Sequence, residues 1–313
     1  MNQWEQILKE KFGDKVERSV LMKQQTTIGV GGIADFFYLA KTVEEIVEIS
    51  NFCYQNKIPF IVIGWGSNII VSDYGFNGLV VKNESGNIVI NKEKAEIIAD
   101  SGISVGKLLT LAASNDLGGI EFLAGIPGTL AGAVNNNSGS RSMGIGDYVR
   151  NVTLLEEKMG ELKISSRDQK WMEFEYRNSK LKSAYKNQTF KPVILTAKLR
   201  LTHKRKDEII RLIQKNIQDK SKSQPLSEKT AGSFFKNPGT LPEQSAGFLL
   251  DRSGAKKLKS GGAKVSVLHA NFVVNAKNAS GEDIRRLAES MREAVKDNYG
   301  VILEEEVEYI GKW

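Results

Sequence analysis

Two glycine loops carry the first chemical signal in this 313-residue sequence. Gly64-Trp65-Gly66-Ser67-Asn68 and Gly125-Ile126-Pro127-Gly128-Thr129 each leave consecutive backbone N–H groups uncovered by side chains. Such nests can hold a pyrophosphate: without Cβ atoms the main chain approaches the ligand, and Ser67, Asn68 and Thr129 add side-chain donors. Either loop taken singly reads better as an ordinary turn. Together they point to a nucleotide held mainly by loops, of a kind that composition leaves open. Two other phosphate-binding devices are not expected. Gly29-Val30-Gly31-Gly32-Ile33-Ala34 has the letters of the G-x-G-x-x-A fingerprint, which needs a strand before it and a helix after it. Polar Gln24 to Thr27 precedes it and the strand-like run Asp35-Phe36-Phe37-Tyr38-Leu39 follows, so a Rossmann site is not expected. No G-x-x-x-x-G-K-S/T occurs, which removes the P-loop.

Thiol and imidazole chemistry have little to work with. Cys53 is the one cysteine, so no internal disulfide forms, and His203 and His269 offer no paired Cys/His spacing for a closed zinc site. Metal catalysis through carboxylates stays open and unsupported. The net charge, 44 − 37 = +7, favours an anionic partner without identifying it. Its basic clusters, His203 to Lys206 and Lys256 to Lys259, stand apart and lack interleaved aromatics that could stack bases, so no nucleic-acid partner is expected. The longest nearly apolar stretch, Ile120 to Val134, is broken by Glu121 and Pro127 and falls short of the ~20 residues of a membrane span. The start, Met1 to Gln6, shows no basic region leading into an apolar core. The expected location is cytoplasmic, with no membrane partner.

The elements that position these loops read as α+β. An amphipathic opening helix (Trp4, Ile7, Leu8, Phe12) precedes the strand Asp35 to Leu39. Thr42 and Glu45 form a capping box for a helix through Phe52, and Phe60 to Ile63 is a buried strand. The first glycine loop then lies between strands, because Ile69-Ile70-Val71 follows it. Ile88 to Ile90 and Glu96 to Ala99 suggest a hairpin, and Ser104 to Ala113 a helix with Leu108, Leu109 and Ala112 inward. Val152 to Leu155 and Leu162 to Ile164 join across Met159-Gly160, and a long strand covers Val193 to Leu201. A helix at Asp207 to Gln218 leads to a Ser/Pro-bearing connection at Ser221 to Leu226. Strands at Ala270 to Asn275 and Val301 to Ile310 flank a helix that Ser280 and Asp283 cap, that Gly300 stops, and whose Ile284, Leu287, Met291 and Val295 share one face. Length suggests about two domains at roughly 150 residues each. The expected boundary is the charged stretch Leu201 to Leu226.

Seven motifs, in order, resemble the UDP-N-acetylenolpyruvoylglucosamine reductase family. They are Thr26-Thr27-Ile28-Gly29-Val30-Gly31-Gly32, the loops Gly64 to Asn68 and Gly125 to Thr129, Tyr176-Arg177-Asn178-Ser179, Gly232-Ser233-Phe234-Phe235-Lys236-Asn237-Pro238, Gly261-Gly262-Ala263 and Leu303-Glu304-Glu305-Glu306-Val307. Each is weak alone; the series covers nearly the whole chain. The resemblance implies a two-lobed FAD-binding unit of the vanillyl-alcohol-oxidase (PCMH) type over residues 1–205, its lobes split near 80–85, and an α+β substrate-binding domain over 206–313. It implies reduction of the enolpyruvyl ether of UDP-N-acetylglucosamine to UDP-N-acetylmuramate with NADPH as reductant, in peptidoglycan precursor synthesis. A monomer is expected. The runners-up are a different flavin-dependent oxidoreductase on the same scaffold and a catalytically silent nucleotide-binding homologue.

Carried onto this chain, the family's flavin contacts fall on Gly64, Gly66, Ser67, Asn68, Gly125, Ile126, Pro127, Gly128, Thr129, Asn137 and Gly139. Its catalytic groups fall on Arg177, Ser233 and Glu306, and Lys236 and Asn237 match residues that touch the sugar-diphosphate substrate. The reaction develops negative charge beside the substrate carboxylate. Arg177 is a planar, permanent cation suited to that charge, and Glu306 as the acid could donate to it. Ser233 would protonate the carbon bearing the ether oxygen, which a weak acid does only within hydrogen-bond reach and with a supporting network. The chain departs from the family at Ala131, Asn136, Ser138 and Ser140, which make the flavin wall more polar or bulkier and put cofactor affinity and potential in question. The loops offer no evident histidine or cysteine anchor, so non-covalent FAD is expected. No insertion with a substrate-capping tyrosine is evident in the second half, as in the shorter subclass. His269, in Val-Leu-His-Ala-Asn-Phe, reads as structural or substrate-adjacent.

Overall fold

The computed structural model describes residues 3–139, 143–184 and 190–313. The chain divides into two compact units, each assembled from separated segments: Met1–Val16, Phe37–Gly64 and Leu79–Gln218 form the first, and Glu17–Phe36, Trp65–Gly78 and Asp219–Trp313 the second. The strands Ile33–Ala40 and Phe76–Asn83 and the helix Lys206–Ser223 each carry the chain from one unit to the other.

In the first unit Thr42 caps the helix Val43–Gln55, its hydroxyl accepting from Glu45 N at 3.2 Å, while the Glu45 carboxylate accepts from Lys41 N at 2.7 Å. That helix buries Ile46, Ile49 and Cys53, the apolar stripe of its sequence. Phe60–Ile63 pairs in parallel with the Leu79 to Lys82 part of the next strand. A five-stranded antiparallel sheet follows, in the order Glu161–Asp168, Val149–Lys158, Val193–Arg200, Glu96–Asp100, Ile88–Asn91. Met159 and Gly160 turn the first hairpin at φ 53° and 77°, the positive pair that a two-residue turn needs to match strand twist. Both expected hairpins are present. Helix Val105–Ser114, capped by Ser104, packs Leu108, Leu109 and Ala112 with Ile97, Val152, Leu154 and Leu199 in one core.

In the second unit a sheet of four antiparallel strands runs Thr230–Ser233, Phe272–Asn275, Ala263–Val265, Lys259–Ser260. The helix Gly281–Tyr299 covers it, with Ile284, Leu287, Met291 and Val295 in the core, a reciprocal Ser280/Asp283 box at its start and Gly300 at φ 67° closing it. Ile69–Val71 pairs in parallel with Glu308–Ile310.

Several bounds differ from expectation. The helix expected to end at Gln218 continues to Ser223, because Asp219, Lys220 and Lys222 are tolerated on an exposed face, and the expected connection at Ser221 shrinks accordingly. The expected strand Val301 to Ile310 is regular only from Glu308; its acidic part makes one isolated bridge instead. The strand expected from Ala270 begins at Phe272, the preceding residues being a turn. Within the glycine-rich stretch a six-residue helix, Leu130–Asn135, forms on a Thr129 cap.

Candidate active site

The first unit brings the second glycine loop against Gly64, the start of the first. A Cβ added to Gly64 would lie 2.6 Å from Thr129 Oγ1, so bare backbone is required where they meet. Gly125 and Gly128 hold φ of 78° and 130°, which aims successive peptide groups in directions an L-residue run does not reach. Thr129, expected as a ligand donor, also caps the helix that follows, its hydroxyl accepting from Gly132 N at 3.4 Å.

The helix opened by this loop leads to the residues expected around the flavin and to the Arg177 turn. Ser179 Oγ donates to Asn135 O at 2.7 Å. Asn137, at φ 43°, donates from Nδ2 to Glu175 O at 2.8 Å and accepts from Gly146 N at 2.9 Å. Gly139 bridges to Gly144, and a Cβ on it would fall 2.0 Å from Met143 O. Between Glu175 and Asn178, whose main chains exchange two hydrogen bonds of 3.1 and 3.2 Å, stand Tyr176 and Arg177. Arg177 has φ 53°, a left-handed conformation that costs a non-glycine residue about 1–2 kcal/mol. Such outliers gather at functional sites. Of the departing wall residues, Asn136 accepts from Lys182 Nζ at 2.7 Å and Ser138 is buried, so their polar groups have protein partners or shelter; Ser140 lies outside the described residues.

The second unit holds the other half of the first loop. A Cβ on Gly66, at φ 65°, would meet Gln25 O at 2.3 Å, and Thr27 N donates to Gly66 O at 3.2 Å. Thr26 to Gly32 is therefore a packing motif: Gly32 has room for no Cβ, with Asp73 O at 2.1 Å, and the strand Ile33–Ala40 follows rather than a helix. Asn68 reaches far along the chain. Its Nδ2 donates to Glu306 O at 3.0 Å, and its own carbonyl accepts from Glu308 N at 3.0 Å.

Ser233 and Glu306, 73 positions apart (306 − 233), lie on neighbouring segments. Phe235 and Glu305 form an antiparallel bridge, flanked by Glu306 N to Phe234 O and Lys236 N to Glu304 O, both 2.8 Å. Gly232, at φ 79°, inserts one extra residue before Ser233, since Thr230 faces Val274 and Ser233 faces Phe272. A glycine bulge of this kind re-aims the residue after it. Phe234 and Phe235 are fully buried and anchor the strand, their rings 5.3 Å apart. Lys236 Nζ pairs with Glu304 at 2.6 Å, and Asn237 Oδ1 accepts from Ala246 N at 3.0 Å. Arg292 pairs with Glu305 at 2.6 Å and donates to Leu303 O at 3.3 Å, holding the acidic segment from behind.

Three residues here escaped sequence reasoning. Asn271 is buried and bonds Phe235 twice; Arg292 orders the acidic segment; Asn275 donates to Ile28 O and Gly29 O, both at 3.0 Å. Asparagines inside the apolar run Ala-Asn-Phe-Val-Val-Asn were the available signal, because a buried amide demands partners. His269 accepts from Asn271 N at 3.2 Å through Nδ1. Burial, with Lys256 adding to it against Asp251, holds its pKa below the usual histidine range. Among the described residues no group of three or more His, Cys, Asp or Glu could hold a metal, and no helix is long and apolar enough to cross a membrane.

Within the first unit, the bare backbone at Gly64, Gly125 and Gly128 beside the Thr129 hydroxyl is chemistry suited to a dinucleotide pyrophosphate. Residues 34–165 match a family model described as an FAD binding domain. Residues 224–310 match one described as the C-terminal domain of UDP-N-acetylenolpyruvoylglucosamine reductase. The class so defined is a flavin-dependent oxidoreductase. The chain is 35% identical over 299 residues to UDP-N-acetylenolpyruvoylglucosamine reductase of Prochlorococcus marinus (strain NATL2A), across 95% of this chain and 98% of the relative. It is 34% identical over 306 residues to the enzyme of that name from Bacillus subtilis (strain 168), across 98% and 97%. A crystal structure of UDP-N-acetylenolpyruvylglucosamine reductase from Thermus caldophilus superposes with a TM-score of 0.75 at 31% identity, covering 94% of this chain and 98% of that one. The chain belongs to the UDP-N-acetylenolpyruvoylglucosamine reductase family, and its 313 residues place it with the shorter type.

Proposed function

We propose that this chain reduces UDP-N-acetylglucosamine enolpyruvate to UDP-N-acetylmuramate in the cytoplasm, as a monomer, with non-covalent FAD and with NADPH as reductant. The reading assigns FAD binding to residues 1–205 and substrate binding to 206–313. The observation that supports it most is the bridged pair of segments carrying Ser233 and Glu306, two of the residues the family resemblance marks as catalytic.

FAD, when bound, would supply the two-electron chemistry that links NADPH to the substrate double bond. Gly64, Gly66, Ser67, Asn68, Gly125, Ile126, Pro127, Gly128, Thr129, Asn137 and Gly139 are proposed to hold it. Arg177, a permanent cation on a tight turn, stabilises the substrate carboxylate and the negative charge that develops beside it. Glu306, largely buried, would donate to the same charge when its carboxyl carries a proton. Ser233 Oγ gives its proton to the carbon that bears the ether oxygen and carboxylate. Lys236 offers a cation to the diphosphate, and its ion pair with Glu304 fixes where that charge sits. Asn237 adds an amide whose Oδ1 is already tied to Ala246 N, which leaves its Nδ2 for the substrate.

The test is product identity. Purified protein incubated with NADPH and UDP-N-acetylglucosamine enolpyruvate should yield a compound two hydrogens heavier that co-migrates with UDP-N-acetylmuramate, with one NADPH consumed per product. NADPH consumption with unchanged substrate overturns the proposal.

A further inference from the structure

The strand that bears Ser233 has a partner of an unusual kind. Past the Ser233–Phe272 rung the neighbouring chain leaves the sheet, since residues 266–271 belong to no strand. The side chain of Asn271 takes over. Its Oδ1 accepts from Phe235 N at 2.9 Å and its Nδ2 donates to Phe235 O at 2.8 Å, while its own carbonyl accepts from Phe234 N at 2.8 Å. One amide thus supplies both bonds of a ladder rung, in a residue that is only 3% exposed. On the other edge of the same three residues, Phe234 to Lys236 bond the main chain of Glu304 and Glu306. The backbone of Phe234 to Lys236 is therefore the piece that registers Ser233 against Glu306, and Asn271 clamps it.

We infer that Asn271 is a positioning residue for proton delivery: its side-chain amide fixes the Phe235 peptide and, through it, the relative placement of Ser233 and Glu306. The inference rests on the proposed roles of those two residues. Displacement of a reacting group by about 1 Å slows an aligned step by up to about 100-fold. Losing the amide acts on the step that uses Ser233 and Glu306, leaving flavin reduction by NADPH intact.

Asparagine and protonated aspartic acid have the same shape and the same one-acceptor, one-donor facing edge, whereas aspartate accepts only. Burial and the facing Phe235 carbonyl raise the pKa of an aspartic acid placed here. In Asn271→Asp, the rate of substrate-dependent flavin re-oxidation, divided by the wild-type rate at each pH, should rise toward one as pH falls and drop about 10- to 100-fold as it rises. Asn271→Leu should be slow at every pH. By hydrogen exchange, a peptide spanning Phe234 to Lys236 should lose protection in Asn271→Leu and regain it at low pH in Asn271→Asp. Wild-type rates and protection in both variants, beside a slow Ser233→Ala, overturn the inference and leave the proposed function standing. A pH-independent loss in Asn271→Asp equal to that in Asn271→Leu also overturns it, as that is the mark of a merely structural residue. A normal rate in Ser233→Ala overturns the Ser233 assignment and the inference with it.

Discussion

Arg177 combines a left-handed backbone with the guanidinium assigned to the developing charge, so stability and activity should separate there. Both Arg177→Gly and Arg177→Ala remove the cation. They differ in the backbone alone: alanine keeps the left-handed penalty of about 1–2 kcal/mol, which glycine escapes. Glycine gives back part of that advantage, about 0.4–1 kcal/mol, through its greater freedom in the unfolded chain. The glycine variant should therefore be more stable than the alanine variant by about 1 kcal/mol, read as a shift in urea midpoint at unchanged slope. Flavin re-oxidation by substrate should fall in both by the same factor, about 10²- to 10³-fold for loss of one charge-stabilising donor. Equal stabilities, or a more stable alanine variant, would refute the turn conformation. Wild-type re-oxidation in either would refute the role of the cation.

Ser233→Ala should leave NADPH-dependent flavin reduction nearly normal and slow re-oxidation by substrate about 10²- to 10⁴-fold in stopped flow; an equal fall in both half-reactions contradicts proton donation. Acid precipitation should release the yellow colour to the supernatant, and a yellow pellet would mean a covalent flavin. Burial depresses the His269 pKa below 6.5, so just below that pH the unfolded chain binds more protons than the folded one and stability declines as pH falls. The wild-type melting midpoint should therefore drop more steeply below pH 6.5 than that of His269→Gln, and parallel curves would contradict the assignment.

Local signals were read well where one period or one cap decides the element. The Ser280/Asp283 box, the face of Ile284, Leu287, Met291 and Val295 and the stop at Gly300 all sit as the residues require. The turn at Met159-Gly160 is equally local. Harder were the strands Val16–Leu21 and Phe76–Asn83: the first carries the exposed polar run Glu17, Arg18 and Ser19, and the second is interrupted by Gly78. The helix Ala246–Arg252 is too short for its period to tell it from a buried strand. At the site, Arg177, Ser233 and Glu306 were legible as members of family motifs, yet their support was not. Asn271 bonds Phe235 across 36 positions, and Asn68 bonds Glu306 across 238. No periodicity links such partners; only the folded chain brings them together.

Electrons from NADPH are expected to reach the enolpyruvyl double bond through a flavin on this chain. The direct measurement is the anaerobic flavin spectrum of the purified protein, first with limiting NADPH and then with UDP-N-acetylglucosamine enolpyruvate added. The yellow bands should bleach in the first step and return promptly in the second. Bands that stay bleached after substrate is added would contradict the assigned substrate, and a protein with no flavin bands at all would contradict the cofactor.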